Sequence, residues 1–482
     1  MATGRFKLSK QVCFEEVASG RWVAWNGYYP HAAVLGDDGV EFLRTIEEQD
    51  LEDPELAEMA EMLLAHRIVY RGEGDPYETE FYAGLSTEVA RAEEAFQRLH
   101  EDKSPYANLY FTNSACNLVC SYCVSHQADL QRRKRVRNAT REKKRAVAFS
   151  VFEQYLTSRR EAGLDFAPIS FNGGEILLEW SLLRELLQHA RARFPELRLR
   201  CEMNSNMTRM TPELARELSE FEIAMYTSID GHREHHNQTR VFRRGGGSYD
   251  DVMAGIEVFN SLSKRRIEGF QGTIDSPEHF RPADLFRMHE HGFVEARLAP
   301  NLLNITNEEA ERRAHLQADL FEAGQDEKLL YTDLYFRNVK GVAEANHNGF
   351  TFYCAGLCGL PSPVLTLNVD STELSQLCSF AAPAALHFDE VGGDIYSPKL
   401  WEVSRKYVEE RVEVLQSYCR GCDVMGVCRG GCVMQGLDLT NTPNPAACTF
   451  QKVMYRRFVQ YSDRLDREAK ESSETAATES TA

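Results

Sequence analysis

The sequence predicts an α/β protein with a partial (β/α)6 barrel at its centre. Strand-like and helix-like segments alternate between residues 106 and 305, a pattern typical of parallel strands joined by right-handed helical crossovers. Several of the strands end in short polar segments, and parallel α/β folds carry their chemistry at that end. With 482 residues, the chain is long enough for several domains and a large core.

The barrel elements follow from the apolar periodicity of each segment. Strands are predicted at residues 111–115, 167–172, 197–204, 222–229, 268–274 and 295–300. Helices are predicted at residues 141–163, 178–194, 211–221, 249–264 and 284–292.

The polar strand ends provide the candidate binding residues. They are Gly173, Gly174 and Glu175 after the second strand, Asn204 and Ser205 at the end of the third, and Ser228 in Ser-Ile-Asp-Gly at the end of the fourth. Glycines allow close approach of the backbone, and a glutamate can accept hydrogen bonds from an ammonium group. Each segment alone could be an ordinary turn or cap, but three at matching positions favour a shared site.

The cysteines form two groups whose spacing is typical of metal ligands. The first group is Cys116, Cys120 and Cys123, in a CxxxCxxC motif. The second group is Cys354, Cys358, Cys378, Cys419, Cys422, Cys428, Cys432 and Cys448. Because a [4Fe–4S] cluster takes four thiolates, the second group would fill two clusters, and the first would leave one iron open to a ligand.

Two simpler roles for the cysteines are disfavoured. A secreted disulfide framework does not fit the odd count of 13 cysteines or the absence of an apolar signal segment. Structural zinc would suit Cys419 and Cys422, but it does not explain a motif that directly follows a strand. Cys13 and Cys201 lie outside both groups and are interpreted as buried thiols.

Charge disfavours a nucleic-acid binder, because the formal net charge is -18. The exception is a basic run at residues 132–145, which is either a solvated face or a docking site for an acidic partner. With no apolar membrane segment and many free thiols, we expect a protein of the reducing cytoplasm that binds neither membrane nor nucleic acid.

Residues 1–85 predict a small separate module. Strands at 12–17 and 21–26 precede helices at 36–48 and 53–67 and a closing strand at 68–71. This order resembles the winged-helix-like peptide-binding module of enzymes that modify ribosomally made peptides. A simple packing domain would show the same apolar spacing. A DNA-binding winged helix is disfavoured because this module is rich in acidic residues.

The CxxxCxxC motif, with Tyr122 before its third cysteine, resembles the signature of the radical S-adenosylmethionine (SAM) enzymes. The later cysteines resemble the SPASM iron–sulfur extension of that family. The resemblance implies that Gly173, Gly174 and Glu175 bind the methionine amino group of SAM. It implies that Asn204, Ser205 and Ser228 hold the ribose, with Tyr122 nearby, and that Arg240 holds the carboxylate. One departure is Ile176, where the family usually has proline.

The same resemblance implies three [4Fe–4S] clusters. Cys116, Cys120 and Cys123 would hold the cluster that binds SAM. The two auxiliary clusters would be held by Cys354, Cys358, Cys378 and Cys432, and by Cys419, Cys422, Cys428 and Cys448. A flavodoxin or ferredoxin would donate the electrons.

The expected domains are a recognition module at 1–85, a linker helix at 86–105, a radical SAM barrel at 106–305, a helical bridge at 306–350, a SPASM domain at 351–450, and a C-terminal helix with a disordered tail at 451–482. The tail prediction rests on the polar, low-complexity segment 468–482.

We expect an enzyme that modifies a ribosomal peptide or small protein subunit, forming thioether cross-links from cysteine sulfur to side-chain carbons, including those of Asp or Glu. The plan is similar to the quinohemoprotein amine dehydrogenase maturases. Carbon–carbon cross-linking, formylglycine formation in sulfatases, and a non-enzymatic electron carrier or scaffold are the alternatives. Asp275, after the fifth strand, is the candidate base, and Glu202 lies near another strand end.

Overall fold

The structure is a computed structural model. It describes residues 5–29, 32–47, 53–123, 139–275, 278, 293, 295–302, 304–326, 330–331, 364–376, 385–428, 430 and 443–479. Four predicted ligands, Cys354, Cys358, Cys378 and Cys432, lie outside these residues, as do the predicted helix 284–292 and residues 132–138 of the basic run.

The N-terminal region contains five strands and two helices. They are β1 (Phe6–Leu8), β2 (Val12–Ala18), β3 (Arg21–Asn26), β4 (Ala32–Gly36), α1 (Asp37–Thr45), α2 (Pro54–Ala65) and β5 (Val69–Arg71). Antiparallel β2, β3 and β4 form one sheet, and β1 pairs with β5. Asp53 caps α2 by accepting the Glu55 N–H at 2.8 Å, with Pro54 in the first turn. The strands β1 and β4 were not predicted from the sequence, and β4 ends at Gly36, which the sequence assigned to the first helix.

The linker helix α3 (Tyr77–Glu101) begins nine residues earlier than the predicted start at residue 86. It therefore crosses the expected boundary between the N-terminal module and the linker. Asp75 accounts for the earlier start, because its carboxylate accepts the Tyr77 N–H at 3.1 Å. Tyr77 and Phe81 in the first turns are also buried, which holds this end of the helix against the rest of the chain.

The first part of the barrel region has alternating strands and helices. It comprises β6 (Asn108–Asn113), β7 (Leu118–Cys120), α4 (Arg141–Glu161), β8 (Phe166–Gly173), α5 (Trp180–Arg193), β9 (Arg198–Ser205), α6 (Pro212–Glu220), β10 (Ala224–Ser228) and α7 (Arg233–Thr239). The second part comprises β11 (Arg240–Phe242), α8 (Tyr249–Leu262), β12 (Gly269–Ile274), β13 (Glu295–Pro300), α9 (Asn307–Asp326) and β14 (Leu330–Tyr331).

The central sheet has the strand order β14-β13-β12-β10-β9-β8-β6, and every neighbouring pair in this run is parallel. The C-terminal region adds β15 (Val364–Asn368), β16 (Glu373–Ser375) and β17 (Leu386–His387) to the β6 edge of that sheet. β15 pairs with β6 in parallel, whereas β16 and β17 are antiparallel. The C-terminal region thus continues the barrel sheet.

The barrel core lies between the sheet and its helices. Phe111 of β6, Phe171 of β8 and Phe152 of α4 are all buried, with the ring centroids of Phe111 5.8 Å from Phe171 and 5.7 Å from Phe152. Burial of such aromatic side chains stabilises the sheet against the helix layer. This packing fixes the carboxyl ends of the strands, where the candidate site lies.

The remaining helices are α10 (Pro398–Tyr418), α11 (Met425–Cys428) and α12 (Pro445–Glu479). The predicted disordered tail is wrong for residues 468–479, because α12 continues through them. No glycine or proline interrupts this segment, and Ala, Glu and Lys sustain a helix that is already nucleated upstream. Among the described residues, no helix is long and apolar enough to cross a membrane.

Candidate functional site

The CxxxCxxC motif lies at the carboxyl end of the barrel sheet, in a segment that we call the cysteine loop (residues 114–123). Strands β7 and β11 pair antiparallel there, which sets Cys120 opposite Arg240. The Cys123 N–H donates to the Cys120 carbonyl at 3.2 Å, closing the loop. Negative charge on either Cys116 or Cys123 would raise the pKa of Cys120. The three thiols are therefore close enough to interact electrostatically.

The three cysteines of the cysteine loop are partly buried. Burial raises the pKa of Cys120 to about 12 and also raises the pKa of Cys116. Within the described residues, no three cysteine, histidine or acidic side chains converge as the ligands of a single metal ion would. A [4Fe–4S] cluster presents a separate iron to each thiolate, so its ligands need not meet at one point.

Gly173 and Gly174 allow the strand end to contact the cysteine loop. A Cβ at Gly173 would lie 2.4 Å from the Asn113 nitrogen, and the residue has a φ of +130°. A Cβ at Gly174 would lie 2.4 Å from the Ala115 carbonyl oxygen. The sequence predicted that these glycines let the backbone approach a ligand. In the structure they let it approach the backbone of the segment that leads into Cys116.

Glu175 is fully buried, and its carboxylate holds the end of the next strand. It accepts the Asn206 N–H at 2.7 Å, the Ser205 hydroxyl at 2.9 Å and the Leu177 N–H at 3.0 Å. Burial raises the pKa of Glu175, while these three donors oppose that shift. Glu175 and Ser205, both predicted to contact SAM, thus bind each other in the structure.

Asn204 and Ser228 lie on neighbouring strands, with the Asn204 Nδ2 donating to the Ser228 Oγ at 3.3 Å. The Asn204 Oδ1 is buried and has no hydrogen-bond partner among the described residues. Buried polar atoms are normally paired, so an unpaired acceptor at a strand end fits a donor such as a ribose hydroxyl.

Tyr122 of the cysteine loop forms a buried network with Asp230 and Arg240. The Tyr122 hydroxyl donates to Asp230, and the Arg240 Nε and Nη2 lie 3.0 Å from the two Asp230 oxygens. Burial alone would raise the pKa of Asp230, but Arg240 holds it below its usual value. The Arg240 Nη2 is therefore hydrogen-bonded to Asp230, whereas its buried Nε contacts Asp230 only as an ion pair and has no hydrogen-bond partner among the described residues.

The second cysteine group is described at four positions. Cys419 and Cys422 follow α10, and Cys428 is the last residue of α11; we call residues 419–428 the auxiliary loop. Cys448 lies in the first turns of α12, and its charge would raise the pKa of Cys422. The four residues that the sequence assigns to one auxiliary cluster thus lie in neighbouring elements.

The N-terminal region packs directly on the auxiliary loop. The Gly426 N–H donates to the Gly27 carbonyl at 2.8 Å, and the Trp25 Nε1 donates to the Asp423 carbonyl at 2.8 Å. A Cβ at Gly27 would lie 2.6 Å from the Cys422 carbonyl oxygen. The module and the auxiliary cysteines are far apart in the sequence but in contact in the fold.

Asp275 follows β12 at the carboxyl edge of the sheet and is partly buried. Its Oδ1 accepts the Asn301 Nδ2 at 2.6 Å. Glu202 likewise accepts one hydrogen bond, from the Ser170 hydroxyl at 2.7 Å. Both carboxylates remain candidates for the base.

Three of the four described basic residues of the 132–145 run, Lys143, Lys144 and Arg145, are paired within the chain. Lys143 pairs with Asp389, and Arg145 pairs with Glu185 at 2.7 Å. Lys144 pairs with Glu179 at 3.3 Å and with Asp370. These lysines and this arginine therefore stabilise contacts of α4 inside the protein.

Two residues that shape the site were not predicted from the sequence. Asn113 donates through its Nδ2 to the carbonyls of Ala115 and Glu175, both at 3.0 Å. Asp370 accepts backbone N–H groups from the cysteine loop. Asn113, a polar residue ending the strand before the motif, could have been found from its position. The sequence around Asp370 carries no motif that would have predicted its contact with the cysteine loop.

Comparison with known proteins agrees with this geometry. Residues 110–273 match the family model described as the Radical SAM superfamily. The barrel region is thus similar to the domain of that superfamily. A domain of this kind implies a [4Fe–4S] cluster and SAM, and the three neighbouring thiols with the unpaired Asn204 Oδ1 fit both groups.

Solved structures share the fold of the radical SAM domain and extend beyond it. Native anSMEcpe with bound AdoMet and Cp18Cys peptide has a TM-score of 0.55 at 16% identity, covering 74% of this chain and 99% of that chain. Native anSMEcpe with bound AdoMet and Kp18Cys peptide has a TM-score of 0.55 at 17% identity, covering 76% and 99%. An uncharacterized protein of Methanothermobacter thermautotrophicus is 24% identical over 200 residues, covering 41% of this chain and 69% of that protein.

Proposed function

We propose that this protein is a radical SAM enzyme that modifies a ribosomal peptide or small protein subunit by forming thioether cross-links. The observation that carries the proposal is the cysteine loop beside the unpaired Asn204 Oδ1, at the same edge of the sheet as Asp275. A peptide substrate is supported by the likeness in fold to a protein solved with bound peptides.

Cys116, Cys120 and Cys123 would hold the cluster that binds SAM, and Asn204, Ser228 and Arg240 would orient SAM. Cys419, Cys422, Cys428 and Cys448 would hold one auxiliary cluster. The other auxiliary cluster is assigned, by the SPASM resemblance, to Cys354, Cys358, Cys378 and Cys432, which lie outside the described residues. When bound, SAM and its cluster would supply a 5′-deoxyadenosyl radical that takes a hydrogen atom from the substrate. The auxiliary clusters would accept one electron.

Forming a thioether removes two hydrogens from the substrate, one from carbon and one from the cysteine thiol. The hydrogen atom from carbon goes to the nucleoside, the thiol proton goes to a base, and one electron remains to be accepted. We assign that proton to Asp275, which follows β12 at the carboxyl edge of the sheet and whose Oδ1 is held by Asn301. A flavodoxin or ferredoxin would supply the electrons for SAM cleavage, and the N-terminal module would bind part of the substrate.

The test is anaerobic reconstitution with iron and sulfide, followed by addition of SAM and dithionite. Formation of 5′-deoxyadenosine is expected from the wild-type protein. It should be lost when Cys116, Cys120 and Cys123 are replaced by alanine, which removes about four irons. Cys201→Ala is the matched control, because Cys201 is a buried thiol of β9 outside both cysteine groups. Retained cleavage by the triple variant would contradict the assignment.

The substrate class is tested by co-expression with short peptides encoded beside the enzyme and by mass spectrometry. A thioether gives a loss of two hydrogens, with the cysteine no longer alkylated by iodoacetamide. A carbon–carbon cross-link gives the same mass loss but leaves the thiol reactive. Formylglycine made from cysteine loses the sulfur. Either of the last two results would replace the thioether proposal while leaving the SAM chemistry intact.

A further inference from the structure

Asp370 links the C-terminal region to the cysteine loop. It follows β15, and its side chain is 1% exposed. One carboxylate oxygen, Oδ2, accepts the backbone N–H of Ser114 at 2.8 Å and that of Ala115 at 2.9 Å. These are the two residues directly before Cys116. A buried carboxylate with two backbone donors is a strong local constraint, because charge-assisted hydrogen bonds are roughly twice as strong as neutral ones.

The second oxygen of Asp370 is also engaged. Lys144 of α4 pairs with the Asp370 Oδ1 and, at 3.3 Å, with Glu179. Glu179 lies in the turn that follows Gly173, Gly174 and Glu175. The pair Asp370–Lys144 therefore joins the cysteine loop, the helix α4 and the turn after the glycine pair.

The backbone around Asp370 is tied to the same region. The Val369 N–H donates to the Thr112 carbonyl at 2.9 Å, and the Asn368 Nδ2 donates to the Ser114 hydroxyl at 3.1 Å. The Ala139 N–H, just before α4, donates to the Asp370 carbonyl at 2.8 Å. A shift of β15 would be transmitted to the start of the cysteine loop through these contacts.

We propose that Asp370 is a positioning residue for the SAM-binding cluster, which makes the conformation of the cysteine loop depend on the C-terminal region. Asp370 acts through the Ser114 and Ala115 amides and does not contact SAM or substrate. The proposal rests on the SAM chemistry of the barrel and not on the identity of the substrate.

The first measurement uses hydrogen–deuterium exchange of the metal-free protein and so needs no activity. In Asp370→Ala, the amides of Ser114 and Ala115 should exchange about tenfold faster, since each loses a hydrogen bond to a charged acceptor. Asp389→Ala is the matched control, because it breaks the neighbouring but exposed pair with Lys143. Equal exchange in the wild type and Asp370→Ala would overturn the proposal.

The second measurement uses the reconstituted protein. At equal iron content, Asp370→Ala should lower 5′-deoxyadenosine formation about tenfold or raise the KM for SAM, and should alter the change in the cluster's electron paramagnetic resonance spectrum on SAM addition. Asp370→Asn combined with Lys144→Met should recover most of both, because an amide oxygen still accepts the two N–H groups and no lysine is left unpaired.

The double variant also protects the test against misfolding. If Asp370→Ala does not fold, hydrogen–deuterium exchange is measured on Asp370→Asn combined with Lys144→Met instead. In that variant the amides of Ser114 and Ala115 should exchange at the wild-type rate. A folded Asp370→Ala with unchanged spectrum and unchanged KM would limit Asp370 to a structural role and overturn the proposal. Failure of SAM cleavage in the wild type would contradict the proposed function instead, and would leave the exchange measurement valid.

Discussion

Asp230 and Arg240 form a buried ion pair, with the Arg240 Nη2 donating to the Asp230 Oδ1 at 3.0 Å. The side chains are 0% and 11% exposed. Asp230 also accepts the Thr239 hydroxyl at 2.9 Å and the Thr273 N–H at 2.9 Å. The pair thus connects the cysteine loop, through Tyr122, to the strands β11 and β12.

Asp230→Asn should destabilise the protein by about 3 to 5 kcal/mol, because it leaves the Arg240 charge buried without a counter-ion. The measurement is the free energy of unfolding in urea. Arg240→Met combined with Asp230→Asn should recover a large part of the loss, since the unpaired charge is then removed. Additive losses in the two single variants and the double variant would show that the pair is not coupled.

Gly174→Ala should displace the cysteine loop, because the new Cβ would lie 2.4 Å from the Ala115 carbonyl oxygen, which is backbone and cannot rotate away. Reconstituted protein should lose about four irons and the ability to cleave SAM. Gly84→Ala, in α3, is the control, since a Cβ at that position would have no atom within 4 Å. Full iron content in Gly174→Ala would mean that the cysteine loop can shift to accommodate the added methyl group and still bind its cluster.

The barrel was predictable because its signals are local. The alternation of apolar strands and helices placed β13 at residues 295–300, as the structure has it. The positions of Gly173, Gly174 and Asn204 at strand ends were predictable for the same reason, because each follows directly from the end of an apolar strand pattern.

Roles that depend on distant partners were not predictable. Glu175 was expected to contact SAM, but its carboxylate is occupied by Ser205 and Asn206 of the next strand end. Asp370 reaches the cysteine loop only because β15 pairs with β6, a pairing that no periodicity shows. Local sequence gives the ends of the strands, whereas the partners of each polar side chain are set by the tertiary fold.

His236 gives the protein a pH-dependent stability. Burial lowers its pKa to about 4, with Arg240 and His235 also lowering it and Asp230 raising it. Its Nδ1 accepts the Asp230 N–H at 3.3 Å, and its Nε2 lies 3.0 Å from the Ser248 Oγ, so the neutral ring fits the site. Because the pKa is lower in the folded state, stability is fully present above about pH 6.5 and falls as the pH drops towards 4.

The expected loss from this residue is about 3 kcal/mol between pH 7 and pH 4, from 1.36 kcal/mol per unit of pKa shift. The thermal-unfolding midpoint of the wild type should therefore fall over that range more steeply than that of His236→Gln. His315→Gln is the control, because its side chain is 48% exposed. Parallel curves for the wild type and His236→Gln would show that this histidine does not carry the effect.

Gly27→Ala should separate the N-terminal region from the auxiliary loop. The new Cβ would lie 2.6 Å from the Cys422 carbonyl oxygen and 2.9 Å from the Asp423 Cα, both of which are backbone atoms. On the opposite side of the contact, a Cβ at Gly426 would lie 2.4 Å from the Tyr28 carbonyl carbon. Neither backbone can give way without opening the loop that carries Cys422.

We expect Gly27→Ala to lose about four irons, those of the auxiliary cluster, while SAM cleavage without substrate continues at the cysteine loop. The measurements are iron content, 5′-deoxyadenosine formation and modification of a co-expressed peptide, which should fall with the lost cluster. Gly74→Ala is the control, since nothing lies within 4 Å of its added methyl. If Gly27→Ala kept all of its iron but lost modification, the N-terminal region would act through substrate binding alone, and its contact with the auxiliary loop would not be needed for cluster retention.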